Sequence, residues 1–255
     1  MNSCLRAYAF MLCLLLAVPA CAARHDQLVR LATLEWPPYN SAALPGGGLN
    51  TALVRRAFAD AGYRLEVVQM PWVRAVDKGK NDPSFDGYFP EYLSPVVRHD
   101  CFLSARAGES PVGLVRRGDT SFYASNASEL LRYRVGVVEG YNNTEQFDAN
   151  VEKGLQQVDQ AQTDGQNLIK LWSRRVDLAI VDRNVMRWLL AHDPRLQSHA
   201  GYFQFLEPPL QVQGLYICFK RNRHGQQLAD AFSGGLLHIN QEQFTRDYMN
   251  SLLGH

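Results

Sequence analysis

The residues able to do chemistry in this chain gather where short apolar runs end. In LEWPPYN, Leu34 to Asn40, a carboxylate, an indole and a phenol flank two prolines. Proline cannot donate to a strand ladder, so the apolar run stops and Glu35, Trp36 and Tyr39 project from a strand end. The grouping recurs: Trp72 and Arg74 in PWVR, Tyr88, Phe89 and Glu91 in GYFPEY, Tyr141 and Asn142 ahead of a helix-like run, and Asp182 closing VDLAIVD. Acids among aromatic rings suit a cationic group, attracted by ring faces and by opposite charge. Arg74 and Arg98 offer the converse, a bidentate partner for a carboxylate. The free N–H groups of a helix starting near Asn142 offer a second anion site.

Each of these residues also has a plainer reading. Trp36 would fill a core, and Tyr88 and Phe89 would divide between core and cleft. Arg74, Glu91 and Arg98 would be solvated charges, a surface ion pair being worth ~0–1 kcal/mol. Asn142, Asn143 and Thr144 would cap a helix with Gln146 reaching back in a capping box, and Thr163-Asp164 with Asn167 would begin another helix. Asp182 resists a plain reading most, because an acid ending an apolar strand is costly unless solvated or paired.

Signatures of catalysis are missing from the sequence. Pro45-Gly46-Gly47-Gly48 lacks the lysine of a phosphate loop and the dinucleotide fingerprint. No Gly-x-Ser-x-Gly or Ser-x-x-Lys motif occurs. The histidines are scattered, with His192 and His199 at no metal-like spacing, so neither metal nor cofactor is expected. Lys and Arg number 26 against 25 acids, for a net charge of +1. That balance lacks the basic surplus of a nucleic-acid binder, and none is expected as partner.

The first residues stand apart. MNSCLRAYAFMLCLLLAVPACAA has an early arginine, an apolar stretch and a small-residue end, the anatomy of a secretory signal peptide over residues 1–22. It is too short and wrongly flanked to span a bilayer. Cleavage after Ala22 fits Ala20-Cys21-Ala22; the alternative is a lipoprotein-like box that leaves Cys21 lipidated. The expectation is an exported protein in an oxidising compartment, where disulfides persist.

Elements must bring these scattered residues together, and the mature chain alternates strand-like with helix-like segments. VRLATLEW reads as a strand, LNTALVRRAFADAG as a helix with Gly62 at its C-cap, and YRLEVVQM as a strand. The cycle restarts after ARAGESPVGLVRRGDT, and GLYICFKR reads as a last strand followed by two helices. Such alternation indicates an α/β protein with parallel or mixed sheets. Two discontinuous lobes joined by crossing strands near 105–112 and 207–213 fit it: 23–106, then 107–210, then a return over 211–255. Ligands of open α/β sheets bind beyond the carboxyl ends of strands, which gathers the strand-end residues into one cleft. Cys101 and Cys218 stand about equally far from the two crossings. Facing each other on antiparallel neighbours they would form a disulfide; otherwise they are two buried thiols.

In order and spacing, several stretches resemble one family. They are Glu35 to Tyr39, Gly47-Gly48-Leu49, Pro71-Trp72, Asp86-Gly87, Phe102 to Ser104, Val135 to Tyr141 and Arg175 to Asp182. Over nearly the whole mature chain the sequence is similar to bacterial extracellular solute-binding protein family 3. The resemblance implies a type II periplasmic-binding-protein fold, a monomeric hinged clamp in the periplasm. It implies a small polar, amine-bearing and amino-acid-like solute, delivered to the membrane permease of an ABC-type importer or to a membrane sensor. Asp182 sits at the family's amine-binding aspartate, and Arg98 lies one place later than the arginine of its Thr-Pro-x-Arg-like loop. The ligand set expected is therefore Glu35, Tyr39, Trp72, Tyr88, Glu91, Arg98, Tyr141, Asn142 and Asp182. A dehydratase-like enzyme is the alternative on this scaffold, with Glu91 or Asp182 as acid.

Overall fold

A computed structural model describes residues 27–121 and 129–253. The expected signal peptide, with Cys4, Cys13 and Cys21, lies outside the described residues. Two mixed sheets, each flanked by helices, make an α/β architecture.

The chain begins with β1 (Gln27–Thr33), α1 (Leu49–Asp60), β2 (Tyr63–Gln69), α2 (Trp72–Asn81), β3 (Gly87–Glu91), α3 (Pro95–Asp100) and β4 (Cys101–Leu103). It then builds a second body from β5 (Glu109–Arg117), β6 (Val135–Val138), α4 (Glu145–Glu152), β7 (Val158–Ala161), α5 (Asp164–Trp172), β8 (Leu178–Asp182), α6 (Arg183–His192), α7 (Pro194–Gln197), β9 (Phe203–Phe205) and β10 (Gln211–Gly214). Finally β11 (Tyr216–Lys220), α8 (Arg223–Leu236) and α9 (Gln241–Leu253) return to the first.

The first sheet has the order β2-β1-β3-β11-β4, with β1 parallel to both neighbours and the returning β11 antiparallel to β3 and β4. The second runs β10-β5-β8-β6-β7, with β9 added beside β5. Apolar alternation explains the layering. Val29 and Leu31 of β1 face a core made with Leu53, Phe58 and Phe232 of α1 and α8. In the second body Val115, Ala179 and Val181 pack against Leu168, Leu171 and Leu196.

The crossings are short. Residues 104–108 lead out and Leu215 leads back, and the two are hydrogen-bonded to each other: Ala107 N–H to the Leu215 carbonyl at 2.7 Å, Leu215 N–H to the Gly108 carbonyl at 3.0 Å. The sequence boundary at 210/211 is thus corrected, because Gln211–Gly214 still pairs with β5 and the return begins only at Leu215. Immediately inside the first body, Cys101 and Cys218 form a disulfide with Cα atoms 5.2 Å apart. Among the described residues no helix is long and apolar enough to cross a membrane.

Candidate functional site

LEWPPYN folds into a tight turn, with Trp36 and Asn40 exchanging backbone hydrogen bonds of 2.6 and 2.9 Å across it. The Pro38 and Tyr39 carbonyls then receive the first N–H groups of α1, from Leu49 at 2.9 Å and Asn50 at 2.8 Å. Gly48 makes that approach feasible: its φ is +98°, and a Cβ there would collide with the Tyr39 carbonyl. Asn40, buried, donates to Thr33 Oγ1 at 2.9 Å and accepts from Thr51 at 3.1 Å. The turn therefore holds Trp36 and Tyr39 rigidly, their rings stacked with centroids 4.5 Å apart.

These rings face the second body, and the two lobes meet there through side-chain hydrogen bonds. Trp36 Nε1 donates to Asp164 Oδ2 at 3.1 Å, and Trp72 Nε1 to the Gly140 carbonyl at 2.9 Å. The Tyr39 hydroxyl donates to Asp182 Oδ2 at 3.1 Å and accepts from Asn184 Nδ2 at 2.8 Å. Asn142 Nδ2 donates to Glu91 Oε1 at 3.3 Å. Between them lies a narrow cavity with ≈ 280 Å³ of unfilled space. Leu34, Trp36, Trp72, Glu91 and Tyr92 wall it from one lobe, Tyr141 and Asn142 from the other. Both walls are already in hydrogen-bonding contact, so the lobes must part to admit a ligand.

Three carboxylates are buried around this cavity: Glu91 at 5% exposure, Asp164 at 5% and Asp182 at 3%. All their partners are neutral. Glu91 accepts from the Tyr92 N–H at 2.7 Å, the Tyr88 hydroxyl at 3.0 Å and Asn142. Asp164 accepts from Trp36 and from the Tyr141 hydroxyl at 3.3 Å. Asp182 caps α6, taking the Asn184 and Val185 N–H groups at 2.7 and 2.9 Å on Oδ1, with Ser110 at 2.6 Å and Tyr39 on Oδ2. Burial strips these acids of water and pushes the carboxyl of Glu91 up to about 7. Asp164 is likewise pushed up to about 7, with Asp182 adding to it, and Asp182 to about 6. Lys80, the one cation that acts appreciably on Glu91, is already paired with Asp100 at 3.0 Å.

Of the expected residues, Trp72, Glu91, Tyr141 and Asn142 line the cavity, and Tyr88 supports Glu91 from behind. Tyr39 and Asp182 bind each other beside it. Two expectations are corrected. Glu35 is exposed: it lies beyond the end of β1, between the buried Leu34 and Trp36, where the chain turns it outward. Arg98 is exposed on α3 after the Ser94 cap and does not reach the cavity. The capping box with Gln146 is also absent: Thr144 caps α4, Asp148 takes the Asn143 N–H, and Gln146 bonds Asn150. Sequence reasoning passed over Tyr92 and Ser110, and it read Asp164 as a helix start alone. Thr163 does cap α5, but Asp164 beside it turns into the cleft. No group of His, Cys, Asp and Glu suited to a metal occurs among the described residues.

No family model matches the sequence, and no curated protein matches it significantly. Solved structures match its fold. A histidine kinase sensor domain with similarity to periplasmic binding proteins shares 16% identity at a TM-score of 0.74, over 88% of this chain and 96% of that one. An ancestral arginine-binding protein bound to arginine shares 15% at 0.71, over 89% and 99%. The GluR0 ligand-binding core from Nostoc punctiforme, in complex with L-glutamate, shares 14% at 0.69, over 88% and 98%. The fold is the two-lobed, type II periplasmic-binding-protein kind.

Proposed function

We propose that this chain is a non-enzymatic receptor that clamps a small solute bearing a positive charge between its lobes. The observation that carries this reading is the interlobe cavity, where Trp36, Trp72, Tyr92 and Tyr141 surround the buried carboxylate of Glu91, whose hydrogen-bond donors are all neutral. Aromatic faces and an anion in low dielectric attract the same kind of group. Groups from both lobes converge on it, so a ligand that bridges them favours closure over opening. The solute class agrees with the amine-bearing ligand expected from the sequence, and the receptor works in the periplasm if residues 1–22 direct export.

Import and signalling both need such a clamp, with a membrane permease or a membrane sensor as partner. The likeness to a kinase sensor domain supports the sensor as strongly as the binding-protein likenesses support import. A dehydratase-like reading draws on Glu91, which burial keeps largely protonated below pH 7 and so able to donate a proton.

The test is a thermal-shift panel of amines, amino acids and small carboxylates, followed by calorimetry and recovery of the ligand. At 100 times its Kd a specific ligand adds about 2.7 kcal/mol of stability. A cationic hit recovered unchanged supports the receptor; a hit recovered transformed supports the enzyme; silence across the panel rejects the cationic-solute reading.

A further inference from the structure

The sequence led us to expect a carboxylate contact, from Arg98 or from the helix start at Asn142; Arg98 lies exposed away from the cavity, and an acid, Asp148, already sits at that helix start. We infer that the cleft takes a small organic cation that carries no carboxylate: an amine, guanidine or quaternary ammonium. The inference rests on the receptor reading above and narrows its ligand.

The arginines near this cleft are exposed away from it or already paired. Arg74 and Arg98 lie exposed on their helices. Arg106, Arg183 and Arg246 line another groove, which reaches Tyr39 and Asn184, and each is paired with a glutamate: Glu109 at 3.0 Å, Glu207 at 2.9 Å and Glu242 at 3.3 Å. Side chains of the second lobe already take some of the N–H groups at its helix starts. At α4, Asp148 takes the Asn143 N–H at 2.9 Å and Thr144 that of Phe147 at 3.3 Å. At α5, Thr163 takes the N–H of Gln166 at 3.2 Å, and at α6 Asp182 takes two.

A ligand carboxylate would therefore leave water for a cavity lined by no cationic side chain. It would also meet Glu91, with Asp164 and Asp182 close behind the walls. Like charges at short range in a poorly hydrated cleft repel strongly, and an unpaired buried charge is costly in itself. A cation meets the reverse conditions: four aromatic side chains and an anion held by neutral donors only.

Matched pairs that differ only in the carboxylate test this: agmatine against arginine, cadaverine against lysine, putrescine against ornithine, choline against glycine betaine. Calorimetry on the purified protein at pH 8 is expected to find at least one decarboxylated or alcohol member bound about 100-fold or more tighter than its carboxylate partner. Glu91→Gln should weaken that member at least tenfold, with circular dichroism and melting confirming a folded variant. A carboxylate member bound as tightly as its partner overturns the inference and leaves the clamp standing. Unchanged affinity in a folded Glu91→Gln variant overturns it as well. No binding by either member of any pair removes the cationic clamp and the inference together.

Discussion

Glu91, Asp164 and Asp182 make the molecule respond to pH in an unusual direction. Unfolded carboxyls ionise near pH 4, whereas burial raises these to between about 6 and 7. Between those limits the folded state holds protons the unfolded chain has released, so stability falls as pH rises through about 4 to 7 and then levels off. The melting temperature should be higher at pH 5 than at pH 8, by about 5 °C or more. Acids paired with a cation, such as Asp193, held low by Arg195, lose their contribution only below about pH 4 and do not reverse this trend. A melting temperature flat or rising over pH 5–8 would contradict the cluster. The same protonation competes with a cationic ligand, so binding should tighten as pH rises through 7. Tyr39→Phe tests the neighbouring contact: it keeps the stacked ring and deletes the hydroxyl that joins Asp182 and Asn184. Ligand affinity should drop about tenfold while the variant stays folded, measured by calorimetry and circular dichroism.

At the scale of elements, much could be read locally. The first strand (ending at Thr33 rather than Trp36), the first helix, Thr144 as a cap, and Thr163 opening α5 follow from patterns within a few residues, and the structure contains them. What escaped depends on distant partners. Asp164 reads as an ordinary first-turn acid because nothing near it announces Trp36, 128 positions away. Ser110 carries no local signal for Asp182, 72 positions away. Glu35 escaped for another reason: a period of two places it on the face of the buried Val29 and Leu31, but β1 ends at Thr33 and the chain beyond turns it outward. The caps themselves are separable from recognition. Thr163→Ala should cost about 1 kcal/mol of stability by denaturant unfolding, as lost N-caps do, and leave ligand affinity within a factor of two or so. A large affinity loss would mean that the start of α5 contacts ligand directly.

The whole molecule is two bodies joined by a pair of short, mutually hydrogen-bonded segments. That arrangement suits a hinge, because few backbone angles need to change for the lobes to separate. The disulfide lies on the first-lobe side of both segments, against the Tyr88 that supports Glu91. Changing both cysteines to serine should lower stability by about 2–5 kcal/mol, read as a lower denaturant midpoint. The bridge has another consequence. It spans 117 positions and encloses the entire second lobe in a covalent ring. A protease that nicks any loop inside the ring severs the chain without producing two molecules. The fragments would run as one band on a non-reducing gel and part only when thiol is added. Where proteases are present, such a ring lets the molecule outlive its first cut.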